Sequence, residues 1–138
     1  LSPLIMQARK INDQRPHDVA ERILCAAKEI NAERIALLGL AFKPDIDDLR
    51  ESPAVEVAAL VANQFGGEVL AVEPFVHLLP KELSDIANIS LTGLDEALLT
   101  ADLTVALVDH SQFRNLNPQL FRSKRVLDPA HLWPKRTN

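Results

Sequence analysis

The chain has 138 residues, 47% of them hydrophobic and 25% charged, which excludes a large multidomain enzyme and a disordered chain. Its net charge of −4, with no long basic run, argues against nonspecific binding to nucleic acid. The single cysteine cannot form an internal disulfide, and the longest apolar runs are too short to span a bilayer. We therefore expect a cytoplasmic domain with no nucleic-acid or membrane partner. Because it begins at Leu1, we expect it to be a piece of a longer protein.

Two helices are predicted at the start of the chain. Ser2 and Pro3 are a favourable cap and first residue, and the apolar residues at positions 4, 5, 8 and 11 share one face. A second helix is predicted after Pro16, because apolar residues recur at spacings of three and four from Val19 onward. Cys25 is interpreted as a small helix residue, since no activating histidine or glycine turn accompanies it.

Strands and helices then alternate. The continuous apolar run at 35–42 is typical of a strand buried on both faces, and Ser52 with Pro53 begins an apolar helix that runs to about Phe65. Further strands are predicted at 68–73, 88–92, 103–108 and 125–127, with helices at 94–100 and around Phe113. This order predicts a Rossmann-like three-layer α/β domain with a parallel sheet of about five strands.

The loop after the first strand is the leading candidate site, because ligands of open parallel sheets bind beyond the carboxyl ends of the strands. It has one glycine, Gly39, so it is not a G-x-G-x-x-G dinucleotide turn. Lys43 at the strand end and Arg50 just before a helix N-terminus would suit a phosphate-bearing ligand.

Two other interpretations of this loop stay open. Its four carboxylates outnumber its two cations, so the loop could be a solvated acidic segment whose charges pair among themselves. Asp45, Asp47 and Asp48 are close enough in sequence for Mg²⁺ or Ca²⁺, but the glycine and the twelfth-position glutamate of an EF-hand are missing. We assign no metal site, and the four histidines do not have metal-ligand spacing.

Three residues near the later strands are also candidates. His110 follows a buried strand, where acids and bases often lie, but its neighbours Asp109 and Ser111 favour a structural helix cap. His131 follows the last strand, at the same sheet end as Lys43. Trp133 is predicted to anchor the tail rather than to stack on a ligand.

The run GLAFKPDIDDLRESPA at residues 39–54 resembles the signature of the UDP-glucose/GDP-mannose dehydrogenase family, in its C-terminal nucleotide-sugar-binding domain. The helix at 8–12, the Ala101-Asp102 strand entry and the Leu127-Asp128 strand exit extend the resemblance over nearly the whole chain. Members oxidise the C6 alcohol of a nucleotide sugar twice, to a carboxylate, with two NAD⁺. The resemblance implies a UDP-sugar as the partner.

The resemblance also implies how the chain divides. Residues 1–32 would be a helical segment joining a central dimerisation domain, and residues 33–138 the UDP-binding domain. NAD would be bound mainly by a separate N-terminal domain, and the parent enzyme would be a homodimer or a higher homo-oligomer. Cys25 does not match the family's catalytic cysteine, so no catalytic residue is assigned and the chain alone is not expected to catalyse.

Carried over by position, Phe42 and Lys43 match the family's contacts to the nucleotide sugar, and Arg50 matches the arginine that reaches NAD. The chain departs from the family at Ala130, where a basic substrate contact is usual, and His131 would be a weaker substitute for it. The alternatives are a separate nucleotide-binding or anion-binding module and an oligomerisation module built on the helix at 54–65.

Overall fold

The computed structural model describes the backbone of residues 3–133 and the side chains of residues 15–133. Within them a parallel sheet lies between two layers of helices, in the strand order β3-β2-β1-β4-β5, which confirms the predicted three-layer α/β class. The strands are β1 (Arg34–Leu38), β2 (Glu68–Val72), β3 (Ile89–Leu91), β4 (Leu103–Ala106) and β5 (Arg125–Leu127). The helices are α1 (Pro3–Glu29), α2 (Pro53–Gln64), α3 (Lys81–Ser84), α4 (Leu94–Thr100) and α5 (Ser111–Arg114), and a 3-10 turn covers Pro118–Leu120.

The central strand β1 is buried on both faces. Ile35 and Leu37 pack in the larger core cluster with α1 and α2, whereas Ala36 and Leu38 pack in the second cluster with α4 and α5. Successive side chains of a strand point to opposite faces, so a strand with helices on both sides needs apolar residues at every position. The apolar pattern of β1 is therefore explained by its place in the sheet.

The predicted strand at 35–42 is too long, because β1 ends at Leu38. Gly39 has a φ of 101°, which turns the backbone out of the sheet. The next two residues, Leu40 and Ala41, are buried, and their N–H groups donate to a side chain rather than to a neighbouring strand. These residues are apolar because they fill the core beneath the loop.

The predicted break before residue 17 is absent, because α1 continues through Pro16. Proline cannot donate one N–H bond of the helix, but burial of Val19, Ala20 and Ile23 against the sheet and α2 offsets that loss. The predicted cap at Ser2 and the side chains of the predicted apolar face at 4–11 lie outside the described residues. Between residues 3 and 133, no helix has both the length and the hydropathy that a membrane span requires.

Helix α2 lies where the sequence predicts it. The Ser52 hydroxyl accepts a hydrogen bond from the N–H of Ala54 at 3.2 Å, and Pro53 occupies the first turn. The helix is covered by α1 and by the sheet, which bury six of its residues: Ala54, Val55, Val57, Ala58, Val61 and Ala62. Its apolar surface is thus used inside the domain, which removes the reason for interpreting α2 as an oligomerisation module.

Candidate functional site

The strand order reverses between β1 and β4, so their carboxyl ends flank the topological switch point of the sheet. Three loops meet there: residues 39–52 after β1, 73–80 after β2 and 107–110 after β4. The N–H groups of Leu107 and Val108 donate to the Leu38 carbonyl at 2.9 and 3.2 Å, and the Gly39 N–H donates to the Val72 carbonyl at 2.8 Å. The candidate loop therefore lies in the crevice where open parallel sheets bind ligands.

Gly39 allows the loop to start at this point. Its positive φ is rarely adopted by residues with a side chain, and a Cβ there would lie 2.5 Å from the Cβ of Val108. The close approach holds the chain leaving β1 against the chain leaving β4. Only glycine fits both the dihedral angle and the contact.

A buried carboxylate holds the base of the loop. Glu73, directly after β2, has a fully buried side chain, and its Oε1 accepts the N–H groups of Leu40 and Ala41 at 2.9 and 3.0 Å. The same oxygen lies 2.8 Å from Nε2 of His110, and Oε2 accepts the Phe75 N–H at 3.1 Å. Glu73 thus connects loops from three neighbouring strands, β1, β2 and β4.

Burial raises the pKa of Glu73 by disfavouring its charged form. The hydrogen bond from His110 and those from the backbone of Leu40 and Phe75 act in the opposite direction, and the net pKa lies below the ordinary value. Every donor around the carboxylate therefore stabilises its ionised form.

His110 is the second buried group, and its two ring nitrogens contact different partners. The Asp45 N–H donates to Nδ1 at 2.8 Å, so Nδ1 carries no proton and Nε2 is the nitrogen that donates to Glu73. The ring lies between Phe75 and Phe113, with centroid separations of 5.0 and 5.3 Å. His110 is also the N-cap residue of α5, which agrees with the structural role that its neighbours predicted.

Asp45 attaches the middle of the loop to α5. Its carboxylate accepts the Ser111 N–H at 2.8 Å and the Ser111 hydroxyl at 2.6 Å, and the hydroxyl bond holds the pKa of Asp45 below its usual value. Asp45 itself has a φ of 60°, which is uncommon for a residue with a side chain. These bonds stabilise a backbone conformation that the loop would otherwise leave.

Phe42 and Lys43 lie between the two attachment points of the loop. The Phe42 side chain is 48% exposed, and the Lys43 ammonium lies 6.0 Å from the centroid of its ring. The Phe42 N–H donates to the Asp48 carbonyl at 2.7 Å, which closes the loop on itself. An exposed ring beside an exposed cation can pack against a planar or sugar group while the ammonium contacts a phosphate.

Arg50 lies on another part of the same loop. Its guanidinium bonds the Asp48 carboxylate at 3.1 and 3.2 Å, which lowers the pKa of Asp48 and raises that of Arg50, while the side chain stays 89% exposed. Arg50 also lines a groove of about 690 Å³ that contains four carboxylates and includes neither Phe42 nor Lys43. The two cations of the loop therefore serve separate surfaces.

Ala130, where the resemblance leads us to expect a basic residue, lies beside a third surface. Ala130 contributes to a cavity of about 360 Å³ with Leu107, Pro129 and residues of α1 and α2. His131 follows it, exposed and with a φ of 58°. A role for His131 in substrate contact stays a prediction.

Trp133 anchors the end of the described chain, as predicted. The Asp128 carboxylate accepts the N–H groups of Leu132 and Trp133, both at 2.8 Å, and the indole N–H donates to the Phe113 carbonyl at 3.2 Å. The indole also contacts the ring of Phe121 edge to face. Trp133 is thus part of the packing on the α4 and α5 side.

Two of the three aspartates considered for a cation, Asp45 and Asp48, bind other side chains. Asp45 binds Ser111 and Asp48 binds Arg50, and no group of three or more His, Cys, Asp or Glu residues suited to a metal occurs in the described part of the chain. Cys25 is exposed on α1.

Glu73 is a residue of the site that the sequence does not single out. The sequence places Glu73 at the end of the predicted 68–73 strand, before Pro74, and three of its partners, Leu40, Ala41 and His110, lie 32 to 37 residues away. One signal was present: an acidic residue that ends a strongly apolar strand on the sheet edge where the candidate loop begins.

Together, a parallel sheet with helices on both faces and an ordered loop at its switch point define a Rossmann-like domain with a candidate ligand site at the carboxyl ends of its strands. Comparison with known families agrees, since residues 36–135 match the UDP binding domain of the UDP-glucose/GDP-mannose dehydrogenase family. The chain belongs to that family.

Its relatives are longer proteins. The chain is 46% identical to UDP-N-acetyl-D-mannosamine dehydrogenase of Escherichia coli, over 94% of this chain and 32% of that one. It is 43% identical to an NDP-N-acetyl-D-galactosaminuronic acid dehydrogenase of Ralstonia nicotianae, over 94% of this chain and 30% of that one. A solved UDP-N-acetyl-mannosamine dehydrogenase, Cap5O from Staphylococcus aureus, superposes with a TM-score of 0.77 at 29% identity, over 96% of this chain and 30% of that one. The chain spans about a third of the length of these relatives.

Proposed function

We propose that this chain binds the uridine diphosphate part of a UDP-sugar and acts within an NAD-dependent UDP-sugar 6-dehydrogenase. The reaction would be the four-electron oxidation of the C6 alcohol to a carboxylate. UDP-N-acetyl-D-mannosamine, giving the mannosaminuronate, is the proposed substrate because of the 46% identity to a dehydrogenase that is named for it. The proposed setting is the cytoplasm, in polysaccharide biosynthesis.

One observation carries the proposal: the loop at the switch point is held at its base by Glu73 and His110 while Phe42 and Lys43 are exposed. A ligand that uses both residues must present a flat or apolar group and a negative charge close together. A nucleoside diphosphate has both features. Lys43 would contact a phosphate, and the Phe42 ring would pack against the nucleoside or the sugar.

Arg50 is the proposed contact to NAD. Its guanidinium is exposed and always charged, and such a group suits a cofactor phosphate on the other surface of the loop. To make that contact, Arg50 would give up part of its hydrogen bonding to Asp48. NAD, when bound, accepts the hydride that leaves C6 in each oxidation step.

The division of the chain at residues 32 and 33, and the homo-oligomeric state of the parent enzyme, are further parts of the proposal. Helix α1 packs against α2, and its residues Val19, Ala20 and Ile23 belong to the core. A segment of this kind would suit a connection to a central helical domain.

Substitution of Lys43 by alanine tests the proposed function. We expect Lys43→Ala to weaken UDP binding to this chain about tenfold, because it removes one charged contact to a phosphate. Titration calorimetry of the chain with UDP measures the change. Lys124→Ala is the matched control. Lys124 is an exposed lysine just before β5, at the amino-terminal ends of the strands and away from the loop. Equal affinities of the two variants would contradict the assigned site.

A further inference from the structure

The segment from Leu40 to Asp45 is attached to the domain at both ends by two buried side chains. Glu73 accepts the N–H groups of Leu40 and Ala41, and His110 accepts the N–H of Asp45. The exposed pair Phe42 and Lys43 lies between these attachments. Neither buried group has a free position for a ligand, since each is fully enclosed by protein.

The conformation of this segment depends on those attachments. Gly39, directly before the segment, has a φ of 101°, and Asp45, its last residue, has a φ of 60°. A non-glycine residue in the left-handed region is strained and persists only where surrounding contacts enforce it. At Asp45 the enforcing contacts are its N–H bond to His110 and its carboxylate bonds to Ser111.

We propose that Glu73 and His110 are positioning residues of the nucleotide site: they set where Phe42 and Lys43 lie without touching the ligand. The inference rests on the proposed function and adds two residues to it. His110 links the two attachments, because one imidazole nitrogen bonds Glu73 and the other accepts the N–H of Asp45. Through this ring, the ends of β2 and β4 together determine the conformation of the loop after β1.

Two substitutions separate positioning from simple packing. In His110→Asn the side-chain oxygen can occupy the place of Nδ1 and accept the Asp45 N–H, while the bond to Glu73 is lost. In His110→Gln the side-chain nitrogen can occupy the place of Nε2 and donate to Glu73, while the acceptor for Asp45 is lost. Both variants remove the ring between Phe75 and Phe113, and the smaller asparagine leaves the larger cavity.

We expect His110→Gln to bind UDP about fivefold more weakly than His110→Asn, because only His110→Gln loses the hydrogen bond from the Asp45 N–H. The melting temperature of His110→Asn should be equal to or lower than that of His110→Gln, since the asparagine variant has the larger cavity. The measurement is calorimetric titration of the unchanged chain and both variants with UDP, well below their melting temperatures. Proton exchange of the Asp45 amide, followed by NMR without ligand, should be faster in His110→Gln than in His110→Asn.

The outcomes distinguish this inference from the proposed function. If the unchanged chain binds UDP and the two variants bind it equally, the positioning role is wrong and the proposed function stands. If UDP affinity follows the melting temperature, with His110→Asn the weaker binder, the role of His110 is packing alone and the inference is overturned. If the unchanged chain does not bind UDP, both are overturned.

Discussion

Replacing Gly39 by alanine should lower the free energy of unfolding by about 2–6 kcal/mol. The new Cβ would lie 2.5 Å from the Cβ of Val108 and 3.0 Å from its backbone nitrogen, and the residue would have to keep a φ of 101°. The strain cannot be relieved by a rotamer change, because the contact involves a Cβ and a backbone atom. Denaturant unfolding followed by circular dichroism measures the loss.

Gly66→Ala is the matched control for this prediction. A Cβ at Gly66 would meet no atom within 4 Å, so its substitution should change stability by less than about 1 kcal/mol. Similar unfolding midpoints for Gly39→Ala and Gly66→Ala would show that the start of the loop does not need glycine. The geometry described for the switch point would then be wrong.

Replacing Glu73 by alanine should lower the free energy of unfolding by about 3–5 kcal/mol, because it removes the buried acceptor of several hydrogen bonds and each buried donor left unpaired costs about 1–3 kcal/mol. The change leaves three backbone N–H groups and Nε2 of His110 without their acceptor. Glu82→Ala, at an exposed glutamate of α3, should stay within about 0.5 kcal/mol of the unchanged chain.

The loss from Glu73→Ala should also depend on pH. The folded-state pKa of Glu73 lies below its ordinary value, so the carboxylate contributes stability that is fully present above the unfolded pKa. That contribution is lost as the pH falls through the folded pKa. The difference in stability between the unchanged chain and the variant should therefore be full at neutral pH and narrow in acid. A difference that is constant from neutral to strongly acidic pH would contradict an ionised Glu73.

Much of the fold can be predicted from the sequence because the signals are local. The cap and proline before α2, the uninterrupted apolar strands β1 and β4, and the order of strands and helices each depend on near neighbours. Two of the differences between the predicted and the observed elements have a common cause. Pro16 stays inside α1 and the run after Leu38 leaves the sheet because of tertiary contacts, to the core in the first case and to Glu73 in the second.

The candidate site could be predicted only in part. The signature at 39–54 and its position after a parallel strand predict that this loop lies at the carboxyl ends of the strands, and the structure places it there, at the switch point. What the sequence could not show is how the loop is held. The partners of His110 lie 37 and 65 residues away, and no spacing rule links them.

The central claim is that the loop at the switch point binds a nucleoside diphosphate. Locating UDP on the chain tests it most directly. Backbone amide shifts recorded by NMR during a UDP titration report this location residue by residue. We predict saturable shift changes concentrated at residues 39–52 and 107–111. The turn at Gly66-Gly67, at the amino-terminal ends of the strands, should show no change. Shifts centred on that turn, or none at any UDP concentration, would contradict the account.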